Sequence, residues 1–110
     1  MPPNVRIFVC LQPVDFRRSF DGLAQTTREI LHKDPQSGTL FVFVNKRKNR
    51  IKALWWDQTG YCLLYKRLHR AIVVLPEGEA GQPSVHIDGT ALRDLIAGQP
   101  KHRSTYRKAA

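Results

Sequence analysis

Residues 40–68, LFVFVNKRKNRIKALWWDQTGYCLLYKRL, contain three apolar runs separated by two short polar connections. The runs are rich in β-branched and aromatic residues, which favour strands, and they cover 40–44, 51–56 and 61–68. The connection over 45–50 is polar and basic, and the one over 57–60 is a turn sequence. Because strands joined by so few residues pair with their neighbours in the chain, this stretch predicts an antiparallel meander of three strands.

A strand and a long helix are expected before the meander. Residues 5–11 are mostly β-branched or aromatic, which is typical of a strand. Asp15 can cap a following helix, in which large side chains recur at helical spacing as far as residue 32. The stripe consists of Phe16, Phe20, Leu23, Thr27, Ile30 and Leu31. We therefore expect a helix over 16–32, ended by the turn sequence over 34–38.

Shorter elements are expected after the meander. They are a candidate fourth strand over 71–75, a flexible link over 76–83, a short edge strand over 84–87 and a short helix over 90–97 that Gly98 ends. The whole pattern predicts a single α+β domain over residues 5–98. A mostly antiparallel sheet of four to five strands packs on the one main helix, and the short C-terminal helix covers an edge or an end. Residues 99–110 are basic, and we expect a flexible tail there.

The charge of the chain is unusual for its length. Its 110 residues include 18 Lys and Arg against 9 Asp and Glu, a net charge of +9. Such an excess is typical of nucleic-acid binding, with an anionic membrane or an acidic protein as alternatives. No targeting segment is visible, so we expect a cytoplasmic protein without a membrane partner. Cys10 and Cys62 lie in apolar runs and are expected to be buried thiols. A disulfide between them is geometrically possible, but nothing in the sequence supports it.

The densest group of cations lies at the tip of the predicted hairpin between the first two strands of the meander. Five cations fall within seven residues: Lys46, Arg47, Lys48, Arg50 and Lys52. A hairpin tip of this kind can reach a groove of DNA or straddle its backbone, and binding would then be strongly salt-dependent. The alternative is a solvent-exposed turn whose charges serve only to keep the protein soluble.

A second group follows the third strand and includes Lys66, Arg67 and Arg70. It lies either beside the hairpin tip or at the opposite rim of the sheet, and sequence leaves both placements open. Arg17 and Arg18, at the start of the predicted helix, can extend a basic surface, since helix N-termini attract phosphate. Ordinary solvation of the helix is the alternative for these two residues.

Aromatic residues alternate with the cations of the meander. Trp55, Trp56, Tyr61 and Tyr65 could stack on exposed bases, but they could equally belong to the core. Because Trp55 and Trp56 point to opposite faces of a strand, we expect one of them to be buried.

The acidic residues do not suggest a catalytic centre. Asp15 and Asp88 are expected to cap helices, Asp34 and Asp57 to lie in turns, and too few carboxylates remain for a two-metal nuclease site. The histidines have no metal-ligand spacing to one another or to a cysteine. We therefore expect no metal, no cofactor and no catalytic residue, and a metal-dependent nuclease subunit is the alternative.

Several blocks of the chain resemble one known family when they are taken together and in order. They are DFRRSFDGL at 15–23, DPQSG at 34–38 followed by LFVF at 40–43, RIKALWWD at 50–57 followed by GYCLLYKRL at 60–68, and LRDLIAG at 92–98. The chain resembles the TnpB or Orf2-like protein of insertion-sequence-66 type elements, which is unrelated to the RNA-guided nuclease of the same name. The family usually has an aromatic residue before a Trp-Pro pair where this chain has IVVLP at 72–76.

This resemblance implies an accessory role in DNA transposition beside a separate transposase, and it supplies no catalytic residues. The leading hypothesis is therefore a non-catalytic accessory protein that binds DNA through the basic hairpin and helps to assemble the transposition complex. The alternative is an interaction module that binds the transposase or another element-encoded protein without touching DNA. The oligomeric state is unknown at this point.

Overall fold

A computed structural model describes residues 4–101 as one five-stranded sheet with helices against it. The elements in chain order are β1 (Ile7–Cys10), α1 (Phe20–Glu29), β2 (Leu40–Val44), β3 (Arg50–Asp57), β4 (Gly60–Arg67), β5 (Ala71–Ile72), β6 (Ser84–Ile87), α2 (Gly89–Ala97) and β7 (Gln99–Pro100). The predicted α+β class is confirmed.

The order of strands in the sheet is β4-β3-β2-β1-β6. The predicted meander is confirmed, because β2, β3 and β4 pair antiparallel with their chain neighbours. β6 is an edge strand, as expected, and it pairs antiparallel with β1. Only β1 and β2 run parallel, since α1 lies between them in the chain and returns it to the same end of the sheet.

The candidate fourth strand over 71–75 is not part of this sheet. Only its first two residues form a strand, β5, which pairs with β7 in a separate two-stranded ribbon. β7 contains the first two residues of the predicted flexible tail, and residues 102–110 of that tail lie outside the described part of the chain.

Both faces of the sheet are covered, because β2 is apolar at every position. Phe41 and Phe43 point to one face, where Leu23 and Ala24 of α1 pack on them. The second face carries the alternate residues of the strands, and it packs against Leu95 of α2. The short C-terminal helix therefore lies against a face of the sheet and does not cover an edge or an end.

The main helix is shorter at both ends than the apolar periodicity predicts. It begins after Ser19, and Asp15 does not cap it, because the carboxylate of Asp15 instead accepts hydrogen bonds from Arg17. At the other end, His32 adopts a left-handed backbone with φ of 55°, which stops the helix. The predicted cap of α2 is confirmed, since the Asp88 carboxylate accepts a hydrogen bond from the amide of Ala91.

Both cysteines are free thiols. Cys10 is fully buried and Cys62 half-buried, so the expectation of buried thiols holds for the first and in part for the second. Burial raises the pKa of the Cys10 thiol. Among residues 4–101, neither helix has the length and apolar character needed to cross a membrane.

Candidate nucleic-acid interface

An open cleft of about 480 Å³ lies where β2 ends, β3 begins and β4 ends. Its walls come from the segment between β1 and α1, from the β2–β3 loop and from the paired ends of β3 and β4. The lining residues are Val14, Asp15, Phe16, Arg17, Asn45, Lys46, Arg47, Asn49, Arg50 and Arg67. Five of them are cations and one is an acid, so the cleft carries a strong excess of positive charge.

The cleft brings together three groups of cations that are separate in the sequence. Lys46, Arg47 and Arg50 come from the hairpin tip, Arg67 from the end of β4, and Arg17 from the segment before α1. The sequence left open whether the cations after β4 lie beside the hairpin tip or at the opposite rim of the sheet. Arg67 lies beside the tip. It lies directly across from Arg50 in the β3–β4 register.

The β2–β3 loop forms a rim of the cleft and is held on two sides. The side-chain oxygen of Asn45 accepts hydrogen bonds from the amides of Asn49 and Arg50, at 3.0 and 2.9 Å. The carbonyl of Asn49 accepts from the amide of Leu68, and that of Lys48 accepts from the amide of Val73. This tip is therefore pinned to the rest of the domain, and it does not project as a finger that could enter a groove.

Arg17 and Asp15 form an ion pair at the outer wall. The guanidinium Nε lies 2.9 Å and Nη2 2.6 Å from Oδ2 of Asp15, and both groups are exposed. The hydrogen bonds from the Arg17 side chain, helped by its backbone amide, lower the pKa of Asp15 to about 2. A carboxylate thus competes with any incoming anion for Arg17.

Arg50 is half-buried at the inner end of the cleft. Its Nη1 donates a 2.7 Å hydrogen bond to the hydroxyl of Tyr65, which fixes the direction of the guanidinium. Across the register from it, Arg67 is exposed, and so are Lys46 and Arg47 on the loop. Within the described residues, no hydrogen bond or ion pair involves the side chains of these three exposed cations.

Lys52 does not belong to this surface, contrary to the prediction that it contacts phosphate. Its side chain is 4% exposed, and its ammonium donates to the carbonyls of Phe16 at 2.9 Å and Arg18 at 2.6 Å. The ammonium also lies 4.9 Å from the ring centroids of both Phe16 and Tyr65. Lys52 therefore holds the segment before α1 against the sheet and is not a candidate contact.

The remaining predicted contacts lie outside the lining of the cleft. Lys66 points to the other face of the sheet, where its ammonium donates to the carbonyl of Ile96 near the end of α2. Arg18 is exposed and donates to the carbonyl of Gly22 at 3.5 Å. Lys48 is half-buried and Arg70 is exposed.

The aromatic residues are divided between the two faces of the sheet. Trp55 is half-buried against the core on the α2 side, and Trp56 is half-buried with its ring edge-on to Tyr61 at 5.0 Å. Neither tryptophan is fully buried, so the expectation that one of them would be is not met. Tyr65, whose hydroxyl accepts a hydrogen bond from Arg50, is 48% exposed, and it packs edge-on against Phe16.

Asn45, Asn49 and Phe16 line the cleft but were not among the site residues predicted from sequence. One asparagine directly follows a strand and another precedes the next strand. This pattern is typical of a turn in which asparagine side chains bond the backbone, and it could have identified Asn45 and Asn49. Within residues 4–101, no group of three His, Cys, Asp or Glu side chains is arranged to hold a metal ion.

Comparison with known proteins supports a single family. Residues 5–105 match the family model described as IS66 Orf2 like protein. Two relatives from Sinorhizobium fredii (strain NBRC 101917 / NGR234), the uncharacterized proteins y4jC and y4hO, are each 36% identical over 95 residues. That alignment covers 86% of this chain and 80% or 81% of the relative. No solved structure matches the chain. The chain belongs to the IS66 Orf2-like family and is thus an accessory protein associated with transposition.

Proposed function

We propose that the protein binds DNA through the basic cleft and, without catalysing a reaction itself, helps to assemble the transposition complex. The observation that carries this proposal is the convergence of Arg17, Lys46, Arg47, Arg50 and Arg67 on one concave surface. Cations from three separate segments repel one another, and an anion bound between them would relieve this repulsion, so the surface suits an anionic ligand.

The shape of the cleft favours the sugar-phosphate backbone as ligand. The pinned β2–β3 loop forms one wall and the segment around Phe16 the other, so phosphates entering between them would meet cations on both sides. Contacts of this kind position a protein on nucleic acid but carry no sequence information. We therefore expect modest sequence specificity from this chain alone.

The second candidate is a protein-interaction module that binds the transposase or another element-encoded protein. The same cleft would then receive an acidic segment of that partner. The two candidates differ in their requirement for a partner, because only the first predicts that the purified chain binds DNA alone.

The test compares two triple variants that remove equal charge. Lys46, Arg47 and Arg67 are replaced by Ala in the first variant, because their side chains make no hydrogen bond within the described residues. The control replaces Arg6, Arg28 and Arg93, which are exposed and do not line the cleft. Binding to a duplex and to a single strand is measured from about 50 to 300 mM salt, a range over which phosphate contacts change affinity by orders of magnitude.

Loss of three phosphate contacts reduces the slope of log affinity against log salt by about 2 to 3, which lowers affinity at 0.1 M salt on the order of 10²-fold. The control is expected to lose only a few-fold. Equal losses in the two variants would show a response to net charge and overturn the cleft as the site. Absence of binding by the unmodified chain at low salt, with binding restored by the transposase, would favour the second candidate.

A further inference from the structure

The two edges of the sheet differ in how they are protected from pairing with another strand. β6 is four residues long and follows Pro83, which has no amide to donate. β4 is eight residues long, and residues 61–65 contain neither a charge nor a proline. Natural edge strands are usually short, charged or interrupted. Residues 61–65 of β4 lack these protections, and its charges stand only at its end, at Lys66 and Arg67.

The free side of β4 presents a regular row of backbone groups. The amide of Leu68 donates to the carbonyl of Asn49, its partner on the β3 side. Antiparallel strands form backbone hydrogen bonds at every second residue. The amides and carbonyls of the even-numbered residues of β4 therefore point towards β3. The odd-numbered residues, Tyr61, Leu63, Tyr65 and Arg67, therefore point their amides and carbonyls away from the sheet.

We infer that two copies of the chain pair antiparallel through β4, with the two-fold axis at Leu64. This register places Tyr61 opposite Arg67 and Leu63 opposite Tyr65, so all four outward residues of each copy are bonded. A register centred on Leu63 leaves Arg67 without a strand partner, and one centred on Tyr65 leaves Tyr61 without one. The interface is isologous, as symmetric dimers require.

The same register covers the apolar side chains that β4 exposes. Leu64 is 43% exposed, and it would meet the Leu64 of the second copy as a close pair across the axis. Tyr65 would pack beside Leu63 on the opposite face. The charges also fit, since Lys66 would lie opposite Cys62, whereas a parallel in-register pairing would set Lys66 against Lys66.

The axis of such a dimer is perpendicular to the sheet, so the face of each copy that carries Arg67 continues into the same face of the other. The two Arg67 residues would then lie about 20 Å apart along the paired strands, six residues at ~3.3 Å each. The dimer would present two basic clefts on one side. Its formation does not depend on DNA binding, so the oligomeric state can be measured without DNA.

The first measurement is the mass of the purified full chain in solution by light scattering or sedimentation, over a range of protein concentrations. We expect twice the chain mass for the unmodified protein and for Val74→Lys, a control at a residue that is 56% exposed and lies outside the sheet. Leu64→Lys places two ammonium groups opposite each other, and we expect a folded monomer. A monomer for the unmodified chain at all concentrations, or a dimer of Leu64→Lys, would overturn the inference.

The second measurement is disulfide formation by Leu64→Cys under mild oxidation, which remains informative if Leu64→Lys does not fold. Opposed residues in such a pair lie close enough for a disulfide. We expect rapid covalent dimerisation of Leu64→Cys. The unmodified chain, whose Cys62 would face Lys66, and Val74→Cys should dimerise slowly at most. Equal rates for the three proteins would exclude pairing at Leu64.

Discussion

Lysine and arginine side chains of the same meander lie in two different environments. Lys52 lies under the segment before α1, with its ammonium bonded to two backbone carbonyls and set between two aromatic rings. Lys46, Arg47 and Arg67, at the rim of the cleft, face solvent without a bond to the described part of the chain. The difference shows that a run of cations in sequence can contain both a structural residue and candidate ligand contacts.

The largest effect is expected from Lys52→Met, which removes the buried ammonium group and its hydrogen bonds. The carbonyls of Phe16 and Arg18 lose a charged donor at a buried site. We therefore expect the free energy of unfolding to fall by about 2–4 kcal/mol. For a domain of this length, the melting temperature then falls by about 10 °C or more. Thermal unfolding followed by circular dichroism measures this change.

Lys66→Met is the matched control, because Lys66 also donates to a backbone carbonyl but is exposed. We expect its stability to change by less than about 0.5 kcal/mol. Equal destabilisation by the two variants would refute the structural role that we assign to burial of Lys52.

The second effect separates two residues that are adjacent in sequence and lie on opposite faces of the sheet. Arg67→Glu reverses a charge in the cleft, and we expect DNA affinity at 0.1 M salt to fall about tenfold or more, since one phosphate contact changes the salt slope by about 1. Lys66→Glu makes the same change in net charge near α2 and should have a much smaller effect. Fluorescence anisotropy with a labelled duplex measures both, and similar losses would argue against a localised site.

A smaller effect, in the opposite direction, is expected from Asp15→Asn. The change removes the one acid of the cleft and releases Arg17 from its ion pair, so affinity for DNA should rise by about 3- to 10-fold. Asp94→Asn, which has the same charge change on α2, should leave affinity within about twofold. If Asp15→Asn binds no better than Asp94→Asn, Arg17 does not contact the ligand.

The smallest effect concerns the stability of the same ion pair in acid. Arg17 lowers the pKa of Asp15 from 3.8 to about 2. At pH values above the ordinary pKa of 3.8, the ion pair therefore makes its full contribution to the stability of the folded state. That contribution is lost as the pH falls from about 4 towards 2. Asp15→Asn should therefore flatten the acid limb of a stability curve slightly, and the difference should shrink in high salt because the pair is exposed.

The strands of the five-stranded sheet, unlike β5 and β7, were predictable because their signals are local. β2 and β6 have the predicted bounds, and β3 and β4 differ by one or two residues. Alternating branched and aromatic residues and a short turn sequence are enough to define a hairpin. The start of α1 was not predictable, because Lys52, more than thirty residues away, takes the carbonyls of Phe16 and Arg18 that a helix would use.

The cleft was predictable as a set of charges but not as a surface. Sequence identified all five of its cations, yet it also included Lys52 and Lys66, whose ammonium groups are bonded to backbone carbonyls. The direction of a side chain on a strand follows from its register, and register follows from pairing across the sheet. The position of Arg67 beside Arg50 became known only from the β3–β4 pairing.

The most direct test of the proposal that the cleft binds DNA is an NMR titration of the full, isotope-labelled chain with a short oligonucleotide at low salt. We expect the largest amide shifts over residues 45–50 and at Arg17 and Arg67, with little change in α2. The shifts should disappear as salt is raised, because contacts to phosphate weaken steeply with salt. Shifts concentrated on α2, or no shift at low salt, would contradict the assignment of the cleft as the DNA-binding surface.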